Sequence, residues 1–447
     1  MTTASPAPVS DFHRAVWRWH FYAGLLVLPV LALMAVTGAI YLFDDELNGA
    51  LYGRLRTVEA RPSAAAPSAW VAAAEAGSGG QVRRLRLPER ADRAAELTVA
   101  RPDGGRRTAY VDPHDARFLG DTPDGGVAQV VLQLHSLELA GPVANLMVEV
   151  VAGWAIVLVA TGVYLWWPRG RGGGVVTVRG RPGKRLFWRD VHAVTGAFAG
   201  VFVVFLAATG MPWSAVWGAQ VQQLTTDAGL GRPASPTAAS VGLHDSHEAP
   251  ARGAVPWALE EAHVASHGGP ARLTVDDAVR RIDAARLPRP YVLSVPASAR
   301  AVWTAAYMPD VVERTRTVYL DPADGRVLAD VGYARFGAAA QAIEWGISVH
   351  QGRQFGRANQ LLMLAACLAI LMLCVSSLVM WWKRRPRGRR LSAPPAPEDR
   401  RVYRGLLWIL VPLGVLYPLT GLSMLLALAG DGLWRKLRPA APGPLAA

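Results

Sequence analysis

The sequence predicts an internally duplicated membrane protein, a bundle of five transmembrane helices that carries two small α+β domains outside the membrane. Of its 447 residues, 51% are hydrophobic, and the mean hydropathy of +0.19 is high for a water-soluble protein. Five apolar runs reach the ~20 residues that a helix needs to cross a bilayer. These runs are Phe21–Phe43, Val143–Trp167, Ala193–Trp217, Ala358–Trp382 and Gly405–Leu428.

The distribution of positive charge predicts the orientation of these spans. The formal net charge is +13, and Lys and Arg concentrate at the N-terminus and in segments 168–189 and 383–404. The positive-inside rule places these segments in the cytoplasm, as expected for the inner (plasma) membrane of a bacterium. Segments 44–134 and 218–345 and the tail 429–447 are then extracytoplasmic. A basic rim that contacts anionic lipid accounts for the charge, so no nucleic-acid partner is expected.

Four histidines occupy matched positions in the two halves of the chain. His20 and His192 each precede a Thr-Gly pair by the same spacing, and His135 and His350 each precede a Trp-Trp pair by another shared spacing. Ionisable residues near membrane depth are usually functional, and two imidazoles can serve as the axial ligands of an electron-transfer haem. We therefore expect two b-type haems, one between His20 and His192 near the cytoplasm and one between His135 and His350 near the outer face. An interfacial side chain bonded to lipid or backbone is the alternative interpretation of each histidine alone.

The position of His135 requires a break in its helix. As one straight helix, the stretch from His135 to Trp166 would extend about 46 Å, which is well beyond a hydrocarbon core of ~30 Å. Gly141-Pro142 is predicted to end the helix there and to fold His135 back toward the membrane. Small residues that follow His20 and His192, among them Gly24 and Gly196, are expected to leave an apolar slot for the haem.

The predicted outward domains are duplicated as well. Arg107–Asp121 and Arg316–Asp330 each contain a strand, an Asp-Pro turn and a second strand, which is typical of a hairpin. Alternating apolar residues predict further strands in Arg84–Leu97 and Tyr291–Ala305. Thr274 is the expected N-cap of a helix that extends to about residue 285. Each domain is thus predicted to be a small α+β unit.

The fifth apolar run resembles a third, degraded copy of the first. Thr420-Gly421 corresponds to Thr37-Gly38, but Tyr403 occupies the position before Thr420 that His20 occupies before Thr37. We interpret this run as a helix that kept its packing and lost its ligand. Coincidence in a helix rich in Leu, Pro and Gly is the alternative.

The remaining polar residues give weaker indications of function. A second histidine cluster in the outward segment is a weak candidate for binding a metal or an iron chelate, and an exposed loop is the favoured interpretation. Its members are His244, His247, His263 and His267. Glu149 and Glu344 lie near the spans, where they would either pair with a cation, relay protons or simply pack. No residue is assigned a catalytic role, and no phosphate loop, dinucleotide fingerprint or hydrolase arrangement is recognisable.

Four stretches around the histidines resemble the PepSY-associated transmembrane helix family, and the two hairpins resemble its PepSY modules. The stretches are Arg18–Gly24, Leu134–Leu137, Asp190–Gly196 and Val349–Gly352. The resemblance covers about residues 10–430. It implies a relationship to iron-regulated inner-membrane proteins that include ferrisiderophore reductases. In these proteins, haem carries electrons outward to Fe(III) held by a chelator.

The expected function is therefore haem-dependent transmembrane electron transfer that reduces an extracytoplasmic ferric chelate, such as a ferric siderophore. Hard oxygen donors hold Fe(III) more tightly than Fe(II), so one electron loosens the complex. Longer relatives carry a fused cytoplasmic flavoprotein that this sequence lacks, so a quinol or a separate flavoprotein is the expected donor. The alternative is a non-redox, membrane-anchored PepSY protein with a binding or regulatory role. A transporter is less favoured, because no broken, ligand-lined span is predicted.

Overall fold

The computed structural model describes residues 10–168, 174–233, 255–260, 264, 266, 271–298, 301–384, 399 and 402–437. These residues form two compact units. The helical unit comprises the described residues within 1–36, 134–219 and 364–447, and the sheet unit comprises those within 37–133 and 220–363.

The structure contains twelve α-helices among its described residues. In chain order they are α1 (Asp11–Tyr41), α2 (Asp44–Arg56), α3 (Pro67–Ser78), α4 (Gly126–His135), α5 (Pro142–Trp166), α6 (Arg185–Gly210), α7 (Trp217–Asp227), α8 (Val275–Ala284), α9 (Ala338–His350), α10 (Gly356–Arg384), α11 (Tyr403–Leu416) and α12 (Pro418–Leu437). Within the described residues, four helices are long and apolar enough to cross a membrane, namely α1, α5, α6 with the turn that follows it, and α10. These four correspond to the first four predicted spans.

The predicted fifth span, Gly405–Leu428, is not confirmed. The run forms two helices, α11 and α12, that are separated at Tyr417. Pro418 follows this residue, and a proline disfavours helical backbone in the residue before it; the Tyr417 dihedrals are φ −122° and ψ 87°. A Cβ atom added to Gly414 would lie 3.0 Å from the Cα atom of Gly421. The chain therefore reverses, and α11 and α12 form a helical hairpin.

The contacts of α12 show its direction. Thr420 donates a hydrogen bond to the carbonyl oxygen of Glu149 (3.1 Å), and Ser423 accepts one from the indole of Trp154 (2.8 Å). As α12 advances, its contacts thus advance along α5, so the two helices run in the same direction. The predicted extracytoplasmic C-terminus depended on a fifth crossing, and the hairpin removes that basis.

Two clusters of buried side chains hold the helical unit together. The first joins α1 and α5 to the hairpin and includes Trp19, Trp154 and Met424. In the second cluster all four spans meet, and its fully buried members are Ala35, Ala155, Val203, Ile370 and Cys374. Small residues allow close helix contact, which matters in lipid because apolar burial does not by itself favour helix association. Cys367 and Cys374 are buried free thiols, and Cys374 belongs to this second cluster.

The sheet unit contains one continuous antiparallel sheet in the order β4-β3-β2-β1-β5-β6-β7-β8. The strands are β1 (Gln81–Arg86), β2 (Ala95–Ala100), β3 (Arg106–Val111), β4 (Phe118–Pro123), β5 (Val292–Ser294), β6 (Trp303–Tyr307), β7 (Arg316–Leu320) and β8 (Val327–Gly332). The two predicted hairpins are therefore present. The stretches expected to be further strands each cover parts of two antiparallel strands, β1 and β2 in the first and β5 and β6 in the second.

The prediction of two separate α+β domains needs correction, because the two halves share one sheet and one core. Strands β1 and β5 pair with Leu85 opposite Leu293, which removes an open edge from each half. Helices α3 and α8 cover the sheet and contribute Trp70 and Ile282 to the same buried cluster. Thr274 caps α8 as expected and accepts a hydrogen bond from the backbone of the residue at the third helical position.

Candidate functional site

The helical unit brings together the first predicted histidine pair. His20 lies on α1 and His192 lies on α6. Their ring centroids are 6.3 Å apart, and the ring planes are nearly perpendicular, at 86°. The matched register of the two copies thus places these imidazoles side by side.

Each ring is held by a hydroxyl of the neighbouring helix. Nδ1 of His20 lies 2.9 Å from Oγ1 of Thr161 on α5, and Nδ1 of His192 lies 3.0 Å from Oγ of Ser376 on α10. Both hydroxyls are fully buried. The offset between Thr161 and Ser376 is the same one that relates the two Trp-Trp pairs. The two contacts are therefore equivalent in the repeat.

Each of these hydroxyls also bonds its own helix. The hydroxyl of Thr161 donates to the carbonyl oxygen of Val157 (2.6 Å), and that of Ser376 donates to the carbonyl oxygen of Leu373 (3.1 Å). A hydroxyl that donates its one hydrogen to a carbonyl can only accept from an imidazole. In that arrangement Nδ1 carries the ring proton, and Nε2 has the lone pair that a metal requires.

The glycines that follow the histidines mediate helix contact. A Cβ atom on Gly24 would lie 3.8 Å from Leu158, and one on Gly196 would lie 3.6 Å from Leu373. Both leucines also offer a backbone carbonyl to the histidine of their own copy. The glycines thus let α1 approach α5 and α6 approach α10 in the same way. The predicted slot for a haem stays a prediction.

His135 lies where the predicted break occurs. It is the last residue of α4, and α5 begins only at Pro142. Leu137 and Gly141 have positive φ angles of 58° and 94° between the two helices. The His135 ring is hydrogen-bonded to the carbonyl of Met34 on α1. Burial lowers the pKa of His135, with the Met34 carbonyl opposing the shift, so the neutral imidazole that a metal requires is favoured.

The second predicted pair belongs to two different units. His350 is the last residue of α9 and is half-buried in the sheet unit, whereas His135 belongs to the helical unit. Its pairing with His135 stays a prediction. The weak candidates His244, His247, His263 and His267 lie outside the described residues. Within the described residues, no group of three or more His, Cys, Asp or Glu side chains is placed to hold a metal ion.

Glu149 and Glu344 are both buried and both accept backbone hydrogen bonds. The carboxylate of Glu149 accepts from the N–H of Trp217 (3.0 Å), which begins α7. Such a carboxylate complements the positive end of the helix dipole. Glu344 accepts from the N–H of Ala258 (2.8 Å), and burial raises its pKa to about 7. Of the roles open from the sequence, these contacts favour a structural one for both glutamates.

Sequence reasoning missed Thr161 and Ser376. The offset that they share with the Trp-Trp pairs was available as a signal, but hydroxyls are common in membrane helices and most bond their own backbone. Thr161 is the one Ser or Thr of α5, and α10 has Ser376 and Ser377. Only the structure shows which of these hydroxyls reach a neighbouring helix.

The separation of the His20 and His192 rings matches that of two imidazoles bound to one metal ion. A metal–imidazole bond is about 2.0 Å long, and a nitrogen lies roughly 1.1 Å from its ring centroid, so two rings on opposite sides of a metal have centroids about 6 Å apart. The observed separation is 6.3 Å. Histidine ligands usually bond a neighbouring group through their other ring nitrogen, and Nδ1 of each of these rings lies within hydrogen-bond distance of a hydroxyl.

Comparison with known proteins agrees with the helical framework of this site. No curated protein matches the sequence significantly. The family described as PepSY-associated TM region matches residues 17–384. This range begins within α1, ends with α10 and leaves out the α11–α12 hairpin. The chain is a membrane protein that belongs to the PepSY-associated transmembrane family.

Proposed function

We propose that the protein carries electrons across the membrane through bound haem and reduces a ferric chelate on the extracytoplasmic side. The observation that carries the proposal is the His20–His192 pair, whose rings lie 6.3 Å apart between two equivalent helix pairs. Histidines inside spans are rare, almost always face the bundle interior and often mark a functional site. Here Nδ1 of each ring lies within hydrogen-bond distance of a buried hydroxyl, and Nε2 would bind the ligand.

The chain's own residues have separate roles in this site. His20 and His192 would hold the haem iron through their imidazole nitrogens, and a haem held by two histidines supplies electron transfer without ligand exchange. Haem held there supplies one-electron chemistry. The buried cluster around Ala155 and Val203 keeps the centre of the four spans apolar. Such surroundings exclude water and so disfavour side reactions.

The second site is expected at His135 and His350. The Met34 carbonyl that contacts His135 lies almost four turns beyond His20 on α1, which corresponds to about 21 Å along a helix. Two haems on this path would cover most of a hydrocarbon core of ~30 Å. The break at Gly141-Pro142 supports this arrangement, because without it His135 would lie far outside the bilayer.

The proposed acceptor is Fe(III) held by hard oxygen donors, as in a siderophore. One electron converts Fe(III) to Fe(II), which such donors hold less tightly, and the metal is released for uptake. The proposed electron donor is a quinol or a separate flavoprotein. In the proposed orientation the N-terminus and the basic segments are cytoplasmic, and the sheet unit is extracytoplasmic.

The first test is the haem content of the detergent-purified protein. A pyridine haemochrome assay with reduced-minus-oxidised spectra should give two b-type haems per chain. Proteoliposomes with a reductant enclosed should then reduce an external ferric hydroxamate, measured with a ferrous-specific dye. Liposomes that contain the His20→Ala/His192→Ala variant are the control. A protein without haem after expression with ample haem contradicts the proposal and favours the non-redox binding role.

A further inference from the structure

We infer that Thr161 and Ser376 are positioning residues that hold the two axial imidazoles in a fixed tautomer and a fixed orientation. The inference rests on the proposed function, because it concerns the haem site of His20 and His192. Each hydroxyl lies on the helix that faces its histidine, at 2.9 Å and 3.0 Å from Nδ1. Neither residue was marked by the histidine pattern itself.

The duplication provides an internal control for this contact. His20 and Thr161 are separated by 141 positions in the chain, whereas His192 and Ser376 are separated by 184 positions. The two copies therefore differ in the length of chain between histidine and hydroxyl, and yet the same pair of atoms meets in both. A chance contact in one copy would not be expected to recur at the equivalent atoms of the other.

A buried hydroxyl in a transmembrane helix can make its hydrogen bond within its own helix, without a histidine partner. Ser377, the next residue on α10, bonds the carbonyl oxygen of Cys374 (2.8 Å), as serines within helices commonly do. Thr161 and Ser376 make that same kind of bond to their own helix and in addition lie within hydrogen-bond distance of an imidazole Nδ1. The contact with histidine is thus an added function of these two positions.

The chemistry of the contact follows from the surroundings. An imidazole N–H without an acceptor in apolar surroundings costs free energy, so the hydroxyl, together with the leucine carbonyl of the same helix, holds the ring in one rotation. The two acceptors lie on different helices, α5 and α10. They hold the two rings nearly perpendicular, at 86°. Hydrogen bonds of this kind also raise the basicity of the ligating nitrogen.

The experiment compares four variants of the full-length protein in detergent. Thr161→Val and Ser376→Ala remove the hydroxyls with little change in volume, and Thr161→Ser and Ser376→Thr keep them. Haem affinity is measured by haem titration of protein expressed under haem limitation. Ligand orientation is measured by the low-spin ferric EPR spectrum, and the midpoint potential by redox titration. Ser377→Ala is the matched control.

We expect Thr161→Val and Ser376→Ala to weaken haem binding at this site by about 10- to 100-fold, the range typical of lost outer-shell partners. The EPR g-values and the midpoint potential should shift as well. The hydroxyl-retaining variants should restore both readouts, and Ser377→Ala should match the wild type. Size-exclusion profiles like that of the wild type would show that the variants fold.

Two results would overturn the inference, and they differ from each other. If the wild type binds haem and Thr161→Val and Ser376→Ala leave affinity, EPR spectrum and potential unchanged, the hydroxyls do not position the ligands, and the proposed function stands. If the wild type binds no haem, the proposed function fails and the inference fails with it.

Discussion

In the first copy of the helix pair, the His20 ring lies against Gly162 of α5, where an added Cβ atom would come within 3.2 Å of Cε1. In the second copy the equivalent residue of α10 is Ser377. The outer faces differ as well. The α11–α12 hairpin covers α5 through Thr420, whereas Leu368 of α10, equivalent to Gly153 of α5, is 56% exposed.

The polar contacts of the two histidines are nevertheless alike. Both copies have a histidine bonded through Nδ1 to a buried hydroxyl, and both have a glycine against a leucine of the facing helix. Apolar packing is non-directional and tolerates exchange of side chains of similar volume. A buried hydrogen bond is directional, and leaving one partner unpaired is costly. Around the two histidines, the copies therefore share the directional contact and differ in the apolar packing.

The largest expected effect is on haem content, and it tests whether one histidine from each copy binds the same haem. His20→Ala and His192→Ala should each reduce the haem content from two to one per chain, and the double variant should lose no more. The measurement is the pyridine haemochrome assay. His13→Ala, two turns earlier on α1, should retain both haems. Loss of different haems from the two single variants would show that the copies bind haem separately.

A second difference between the copies is Glu344, because the equivalent position in α4 is Gln129. Burial raises the pKa of Glu344 from an ordinary value of 4.5 to about 7. Below pH 4.5 the carboxyl is protonated in both folded and unfolded chains, so it has no effect. Between pH 4.5 and pH 7 the unfolded chain ionises first, so the folded state loses stability as the pH rises, by about 3 kcal/mol in total.

Glu344→Gln should remove this loss and make the second copy resemble the first. Its amide oxygen can still accept from the N–H of Ala258. The variant should unfold at a higher temperature than the wild type at pH 8 and at about the same temperature at pH 4. Thermal unfolding in detergent at both pH values measures this. An equal difference at the two pH values would exclude titration of Glu344 as its cause.

A smaller effect on stability is expected where the α11–α12 hairpin packs on α5 in the first copy. A Cβ atom on Gly153 would overlap the side chain of Thr420, which is fully buried. Gly153→Ala should therefore destabilise the protein by about 1–3 kcal/mol through overpacking, measured by thermal unfolding. Leu368→Ala, at the exposed equivalent position, is the matched control and should change stability less. An unchanged stability of Gly153→Ala would contradict the close packing of Thr420 against Gly153.

The smallest effect concerns a repeated ion pair in the sheet unit. Arg316 contacts Asp330 through two nitrogens (2.8 and 2.6 Å) and also donates to two backbone carbonyls. Arg107 makes one hydrogen bond to Asp121 (2.6 Å). Arg316→Ala should therefore destabilise the protein more than Arg107→Ala, although partly exposed pairs contribute only about 0.2–1 kcal/mol each. Chemical denaturation at low and high salt would reveal the difference, and the opposite order would contradict it.

The features that were predictable from the sequence are local or periodic. Four spans follow from apolar length, the β3–β4 and β7–β8 hairpins follow from alternation around an Asp-Pro turn, and the start of α8 follows from Thr274 as its cap. The proximity of His20 and His192 follows from the repeat, because equivalent helices place equivalent residues at matching positions.

Other features depend on contacts between segments far apart in the chain. The pairing of β1 with β5 joins residues from the two halves of the chain. The sequence pattern of a short strand does not show which other strand it pairs with. The reversal at Tyr417 leaves α11 and α12 as apolar as a continuous span, so composition cannot distinguish a crossing from a hairpin. Thr161 and Ser376 are ordinary hydroxyls until α1 and α6 pack against them. The sequence by itself determined the spans, the turns and the register of the histidines, because these depend on neighbours within a few residues. Only the tertiary structure decided the hairpin, the single sheet and the hydroxyl partners, because each depends on packing between distant segments.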